Sequence, residues 1–600
     1  MRAFAQCPDH QVSRWKLIVA ALLFSAVLPA NANTYKVGVG SQCSFGTIGE
    51  AVDAALHRSG SPSTIYIATN QAYANQAISI SPIPGLVDGI ILIGGVPSCT
   101  DLTPAGTTTI DGGNAGTSVI TIRGAISVTL SHLTISGGND VGGGNDDEGG
   151  GIDYAGVGTL SIDNSTIFDN HAENGGGIRF KGDGGAAALD INANTSIINN
   201  TANATGGGIR AEDNAAVRID ADQTWIAQNV ATNGYGGGIA AVGSAYVHIG
   251  SPGYLFGGVV YGNTAQYGGG IALISGTGGV AQADLFASDP AKPVRIEQNR
   301  AYHTGGGVYL IPYQGFEYSA AAAVQLAGAQ IDDNAAPEGS GIYSDTFVDV
   351  GYLGGDVHVY PGHCAAGIEC NTVSNNRAVD GSDNPTAGSA ILIQTLSWVT
   401  ISQLTMRGNQ GAHAIRVADR LNSPFELDTC LLAGNTLTGE LVTFGNAAAR
   451  ISQCTFAYNA IGGPAVIRAE TGFALTNSVV AQGFLPTVAY TGTGDGETID
   501  YVLSMETATL GAGQHIIQAD PAFVDPGNGD FHLQEVSRAV DVAPAGSADD
   551  RDLDSLPRDV DLSGVPNGEG PRDLGAYELQ ADAPVCGATD WIFCDGFDGP

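Results

Sequence analysis

Two arginines, Arg179 and Arg210, each stand one residue past a Gly-Gly-Gly-Ile block, at Gly175–Ile178 and Gly206–Ile209. Equivalent placement in two repeats stacks their guanidinium groups, and such a pair suits an anionic ligand. The plainer alternative is two solvent-facing arginines beside acidic neighbours. Tyr235 and Tyr267 each immediately precede such a block, and Tyr302, Tyr309, Tyr313, Phe316 and Tyr318 cluster around the next long loop. An exposed aromatic ladder suits sugar or protein recognition; the same rings packed against the following repeat serve only the fold.

Carboxylates gather in three places. Asp140, Asp146, Asp147, Glu148 and Asp153 crowd one long turn, while Asp550, Asp552 and Asp554 alternate ahead of Asp559, Asp561 and Ser563. Alternating oxygen ligands suit calcium, and Asp146, Asp147, Glu148, Asp559 and Asp561 are the candidates. The stretch from Asp559 matches the first half of an EF-hand loop but carries Gly570 at the twelfth position, with Glu569 one place early. Asp332 and Asp333 form a third acidic pair, yet adjacent strand residues point to opposite faces and do not converge. No Gly-x-Ser-x-Gly, His-Glu-x-x-His or phosphate-binding glycine loop stands out. No cofactor is required by these patterns, and calcium is the only one they suggest.

The chain must be organised to position these groups. Its 600 residues exceed one compact core and favour several domains or a repeat array. Glycine is in surplus at 87 residues, charged residues are only 14%, and the formal net charge is −37. A hydrophobic content of 43% argues against wholesale disorder. So acidic a chain is a poor partner for nucleic acid, whose phosphates need clustered Lys and Arg.

The glycine is periodic. Gly-Gly-Gly-Ile recurs at Gly149–Ile152, Gly175–Ile178, Gly206–Ile209, Gly236–Ile239 and Gly268–Ile271, then as Gly305–Val308 and Gly339–Ile342. A second element, an apolar residue three positions before an asparagine, ends at Asn170, Asn200, Asn229, Asn263, Asn299, Asn334, Asn376, Asn409, Asn435 and Asn459. The asparagines lie 24 to 42 residues apart. Short β-branched runs with alternating apolar residues fill the intervals, as in Val128-Thr-Leu130 and Leu160-Ser-Ile162. Glycine triplets exclude helical repeats.

The pattern predicts an all-β, right-handed parallel β-helix over 61–519. Asparagines stack at one turn and tolerate left-handed angles, glycines form another turn, and loops of variable length lie on one side. Gly46–Leu56 is apolar at helical spacing and predicts a short capping helix within an N-terminal cap, 33–60. An irregular closing segment spans 520–580 and a cysteine-containing tail 581–600.

Arg14 and Lys16 precede the apolar run Leu17–Leu28, and Ala30-Asn31-Ala32 follows. This is the pattern of a signal peptide over 1–32, so the mature chain is expected outside the cytoplasm: extracellular, on the outer cell surface or in the periplasm. No later stretch is apolar enough to span a membrane. Without Cys7, eight cysteines remain, suggesting local pairs Cys43–Cys99, Cys364–Cys370, Cys430–Cys454 and Cys586–Cys594. Cys430 and Cys454 fall at equivalent positions of adjacent repeats, where a disulfide or a buried reduced pair are alternatives. His358, His363, Cys364 and Cys370 also make a zinc-like set; the small disulfide loop is favoured in an exported chain.

The repeats resemble those of chlamydial polymorphic outer-membrane proteins over about 149–459, with Phe456-Ala-Tyr-Asn459 in the phenylalanine form. The stretch Asp520-Pro-Ala-Phe-Val-Asp-Pro-Gly-Asn-Gly-Asp-Phe-His-Leu533, then Ala539-Val-Asp541, Asp559-Val-Asp561 and Asp573-Leu-Gly-Ala-Tyr-Glu578, resembles the end of secreted bacterial β-helix proteins of the choice-of-anchor Q type. That resemblance implies the fold, shared with pectin lyases, and an extracellular location, with no agreed activity. No serial alternating strands of a translocator barrel are visible near the end. Trp591–Asp598 resembles a short sorting or anchoring tail of exported proteobacterial proteins.

β-Helices that cleave acidic polysaccharides set the test for catalysis. A lyase needs a base beside calcium-binding carboxylates, and this chain has only four lysines, one of them in the signal. The Asn-Thr-Asp, Gly-His-Gly and Arg-Ile-Lys motifs of polygalacturonases are absent. The residues therefore favour an exported, non-catalytic binding protein, adhesin-like, for a polysaccharide or other cell-surface ligand. The alternatives are a β-helix lyase or glycoside hydrolase, and a purely structural envelope component.

Overall fold

The computed structural model describes residues 33–580, apart from 60–61, 87–88, 143–148, 220–222, 251–256, 277–278, 288–291, 312–321, 345–355, 360–370, 395–398, 419–424, 446–448, 471, 483–487, 491–497, 506–512 and 548–549. The sequence-predicted signal peptide and C-terminal tail lie outside these residues, as do Asp146, Asp147, Glu148, Tyr313, Cys364, Cys370, Cys586 and Cys594. Among the described residues no helix is long and apolar enough to cross a membrane.

Each coil of the chain runs through four short strands. In one coil, Ile178–Ile191 supplies the first and second strands, Ser196–Ile198 the third and Thr201–Thr205 the fourth. Equivalent strands pair in parallel from coil to coil, giving a 37-stranded sheet and an 11-stranded sheet. The register is kept by β-branched residues that point inward. Ile120, Ile152, Ile178, Ile209, Ile239, Ile271, Val308 and Ile342 are successive partners on the first strand. All are fully buried, and with similar stacks from the other strands they make one continuous core. A one-residue slip would turn every such side chain outward, so burial enforces the register. The result is the right-handed parallel β-helix expected from the repeats.

The helix α1 (Ile48–Leu56) covers the N-terminal end. Thr47 caps it, its hydroxyl accepting from the Glu50 N–H at 3.3 Å, and Ile48, Ala51, Val52, Ala55 and Leu56 are buried. This face closes the core where no earlier coil could. The disulfide Cys43–Cys99 ties the same region, with Cα atoms 5.2 Å apart.

Asparagines hold the turn between third and fourth strands. The Asn229 side chain illustrates the pattern. Its Oδ1 accepts from the Asn200 backbone N–H at 2.9 Å and from Asn200 Nδ2 at 3.0 Å. Its Nδ2 donates to the Ile197 carbonyl at 2.9 Å and to Asn263 Oδ1 at 3.0 Å. The ladder runs unbroken from Asn170 to Asn459, where Gln482 Oε1 accepts from the last backbone N–H at 3.1 Å. One expectation is corrected: the left-handed residue is not the ladder asparagine but its predecessor, as at Asp169, Asn199, Gln228 and Gln298. Placing the positive φ one residue earlier swings the asparagine side chain into the coil, where its amide meets the backbone.

The glycine blocks form the corner between fourth and first strands. Gly206 has φ +68°, and a Cβ on Gly207 would sit 2.5 Å from the Gly237 carbonyl oxygen of the next coil. The triplet thus combines a left-handed turn with a backbone approach that no side chain permits.

Cys430 and Cys454 are register partners on adjacent third strands and form a disulfide in the core, Cα atoms 4.5 Å apart. Residues 520–580 do not stack as further coils. Among the described residues they hold one antiparallel pair, Phe523–Asp525 with Asp530–Leu533, a single 3-10 turn at Pro526–Asn528 and two isolated bridges, Ala543 with Arg572 and Arg551 with Pro557. They lie along the outer face of the third strands of the last coils. There Leu431, Ala433, Ala457, Val479, Ala481 and Leu503 form a second core with Phe523, Phe531, Leu533, Leu553, Leu574 and Tyr577. Gln403 Nε2 donates to the Asp552 carbonyl at 2.6 Å, and the Ala576 N–H donates to Thr455 Oγ1 at 2.9 Å.

Candidate functional site

Two surfaces collect chemistry-bearing side chains. The first is the corner between fourth and first strands. Arg179 and Arg210 are register partners there, as the repeat predicts, but neither stands free. Arg179 Nη1 donates to Asp153 Oδ1 at 3.1 Å and its Nε to Glu212 Oε1 at 2.7 Å. Arg210 Nη2 donates to Glu212 Oε2 at 3.3 Å, and Arg123 donates to the other oxygen of Asp153. Asp153 is 1% exposed, and Arg179 and Glu212 are 8% exposed. Burial pushes the Asp153 carboxyl up from its ordinary value, against the opposite pull of Arg123 and Arg179. Three arginines and two carboxylates thus form a chain across four coils, and the guanidinium of Arg179 is spent inside it.

The tyrosines continue the same corner. Tyr235 and Tyr267 stack with centroids 4.9 Å apart, Tyr267 and Tyr309 with 5.6 Å, and Tyr309 and Tyr343 with 5.3 Å. Each of these four coils places one tyrosine, either before the glycines or on the first strand. Where it stands before the glycines, the first-strand position is alanine: Ala240 follows Tyr235 and Ala272 follows Tyr267. Where it stands on the first strand, as Tyr309 and Tyr343, the earlier position carries Thr304 or Glu338. The small residue makes room for the ring, so the row is a packed unit. Tyr309 is 3% and Tyr343 7% exposed, and only Tyr235 and Tyr267 keep part of a ring accessible. Tyr343 was not among the sequence candidates, although it stands one residue past Gly339–Ile342 just as Tyr309 follows Gly305–Val308.

The acidic candidates of the closing segment are placed apart. Arg572 grips Asp559 through Nε at 2.6 Å and Nη2 at 3.2 Å, and the Gly546 N–H donates to it at 3.0 Å. Asp561 is exposed. Among the described residues no three His, Cys, Asp or Glu side chains come together to hold a metal ion.

The second surface escaped the sequence reading. It is the outer face of the third strands, built from the residues flanking the buried apolar position. One row runs Phe168, Ile198, Ala227, Tyr261, Glu297, Asp332; the other runs Thr166, Ser196, Trp225, Val259, Arg295, Gln330. Trp225 is 38% exposed and meets Tyr261 edge to face, centroids 6.3 Å apart. Tyr261 Oη donates to Gln298 Oε1 at 2.6 Å. Beyond Tyr261 the row turns acidic. Burial raises the carboxyls of Glu297 and Asp332, that of Asp332 to about 6. Asp332 Oδ1 accepts from Thr372 Oγ1 and from the Ser374 N–H, each at 2.8 Å, while Asp333 is exposed in the left-handed turn. The separation expected for Asp332 and Asp333 holds; the carboxylate beside Asp332 is Glu297 of the preceding coil. The signal was available: the residues on either side of each buried apolar position spell Thr-Ile-Phe168, Ser-Ile-Ile198, Trp225-Ile-Ala and Val-Val-Tyr261.

No family model matches the chain, and no curated protein matches it. A solved structure to which it is similar is that of Escherichia coli YbhC, at 15% identity over 45% of this chain and 76% of that chain, with a TM-score of 0.24. That likeness is too slight to bear on site or function.

Proposed function

We propose that this chain is an exported, non-catalytic binding protein: a stiff β-helical rod that presents a recognition surface to a polysaccharide or another cell-surface ligand. The observation that carries the reading is the apolar face of exposed Trp225 with half-buried Phe168, Ile198 and Tyr261. On the later coils the equivalent face bears Leu431, Ala457, Val479 and Leu503, and the chain covers it with its own residues 520–580. Between them the face bears Arg295, Gln330 and Asp332 and needs no cover. An apolar stretch left open on a surface otherwise matched to its surroundings is a recognition site. The charges of the corner support the same reading, since Asp153 and Glu212 are each paired with arginines. Calcium is kept as an optional ligand of the acidic loops.

The test is a polysaccharide panel scored for binding and for turnover, with and without calcium. Binding without new reducing ends or unsaturated products is expected; turnover of any member overturns the reading. Turnover lost in Glu297→Gln or Asp332→Asn would establish the second reading, a glycoside hydrolase, which the neighbouring raised carboxylates Glu297 and Asp332 favour.

A further inference from the structure

We infer that the outer face of the third strands takes a neutral, unbranched glycan lying along the helix axis, with Trp225 and Tyr261 as its platforms. The inference rests on the binding reading above and names the ligand class for that face.

Size speaks first. The apolar patch extends over four coils, from Phe168 to Tyr261, which at about 4.8 Å per coil is roughly 14 Å. Across the strand it is two outward positions wide, about 7 Å, at the Trp225 and Tyr261 coils, while Thr166 and Ser196 hold the second position on the first two. A stable protein interface needs about 800 Å² from each partner, several times what this strip offers. A strip one pyranose ring wide and a few rings long fits an oligosaccharide instead.

The chemistry of the border agrees. The exposed left-handed residues beside the strip are Asp169, Asn199, Gln228 and, past Gly262, Gln298. Gln228 lies along Gly262 of the next coil, with its Cγ 3.7 Å from where a Cβ would stand. Gln298 is held against Tyr261 through its Oε1, which leaves its NH₂ to donate outward. A line of side-chain amides, each both donor and acceptor, beside an aromatic face suits sugar hydroxyls above and C–H bonds below. Trp225 is exposed, and its ring lies at 81° to that of Tyr261, so the two do not stack over each other.

Charge selects among glycans. Apart from the Tyr261 phenol nothing ionisable lies on the strip itself, and it runs into Glu297 and Asp332 on one row and into Arg295, 3.8 Å from Glu297, on the other. Those carboxylates, on a chain of net charge −37, disfavour uronates and sulfated sugars and accept hydrogen bonds from neutral hydroxyls.

The test uses the purified chain with cellopentaose, xylopentaose and mannopentaose, and with pentagalacturonate as the anionic control, read by tryptophan fluorescence and calorimetry. At least one neutral oligosaccharide is expected to bind, with Trp225→Ala weakening it about tenfold or more and Gln298→Ala about threefold. Trp225 is surface-exposed, so an unchanged circular dichroism melt separates lost binding from lost folding. Tyr302→Ala, an exposed aromatic on a fourth strand, is expected to change nothing. Binding of no neutral sugar, preference for pentagalacturonate, or undiminished binding by Trp225→Ala would overturn the inference. If a sugar binds but Trp225→Ala is neutral, the general binding reading stands and only this site falls. If Trp225→Ala abolishes capture of a protein while no sugar binds, the ligand class is wrong.

Discussion

Replacing Asn263 by alanine removes the middle rung of the asparagine ladder. The lost side chain accepts from the Asn229 backbone N–H at 2.9 Å and from Asn229 Nδ2 at 3.0 Å, and donates to the Ile226 carbonyl at 2.8 Å and Asn299 Oδ1 at 3.0 Å. Four hydrogen bonds disappear from a site with no solvent exposure. The Asn229 N–H has this one partner, so it becomes an orphaned buried donor, costing about 1–3 kcal/mol. Asn229 Nδ2 keeps the Ile197 carbonyl and Asn299 Oδ1 keeps the Asn263 N–H, so the other three losses are milder, about 0.5–1 kcal/mol each. The sum is about 2.5–6 kcal/mol. In a solenoid the loss is felt at the two adjoining interfaces rather than throughout. Urea unfolding should show the midpoint shift, and hydrogen exchange should lose protection at residues 226–230 and 260–264 before residues 431–457. Gln228→Ala, one residue outside the ladder and exposed, is the control and should cost under about 0.5 kcal/mol. A cost below about 1 kcal/mol for Asn263→Ala, or a protection loss spread evenly along the rod, would refute the ladder as a source of stability.

Arg179→Ala should destabilise the chain by about 3–5 kcal/mol in urea, because it leaves Asp153 and Glu212 buried with reduced compensation. Restoration of most of that loss by the added change Asp153→Asn would confirm that burial of charge is the cause. Docking of residues 520–580 should weaken as pH rises from 5 to 8, read as falling hydrogen-exchange protection of 539–578. Burial raises Asp552 to about 6 and Glu578 to about 7 from ordinary values of 3.8 and 4.5, and pushes Asp573 well up. Groups raised on folding give stability that is present below their unfolded values and lost as pH climbs through the folded ones. His532 acts in the same direction but titrates higher: burial opposes its charge, yet hydrogen bonds to Asp530 and Asp554 lift it to about 10. Protection that rises over this range would contradict the assignment.

Much of the fold is legible because a repeat prints its own geometry. An asparagine three residues past a buried apolar residue, met again and again, places both the turn and the register. The glycine triplet marks a corner whose backbone contacts leave no room for a Cβ. Cys430 and Cys454 at equivalent repeat positions are opposite each other for the same reason. The apolar spacing of Ile48, Val52 and Leu56 discloses the capping helix. The candidate site was less legible. Arg179 and Arg210 read as open cations because their partners Asp153 and Glu212 come from other coils or from across the strand. The tyrosine row read as either an exposed ladder or rings packed against the next repeat, and the structure packs most of it, with alanines at 240 and 272 beside Tyr235 and Tyr267.

Sequence alone determined what recurs with the coil: the parallel β-helix, the stacked asparagines, the glycine corner and the facing positions of Cys430 and Cys454, since each follows from local spacing repeated at a period. Only the tertiary structure decided what depends on one surface meeting another. It laid residues 520–580 along the third strands instead of across the end of the rod, because the outward residues there, Leu431, Ala457, Val479 and Leu503, are apolar on a face that would otherwise meet water. It also left Trp225 and Tyr261 uncovered on the same face farther up. Which apolar residues are matched by the chain itself, and which await a ligand, is a property of shape and burial that no periodicity encodes.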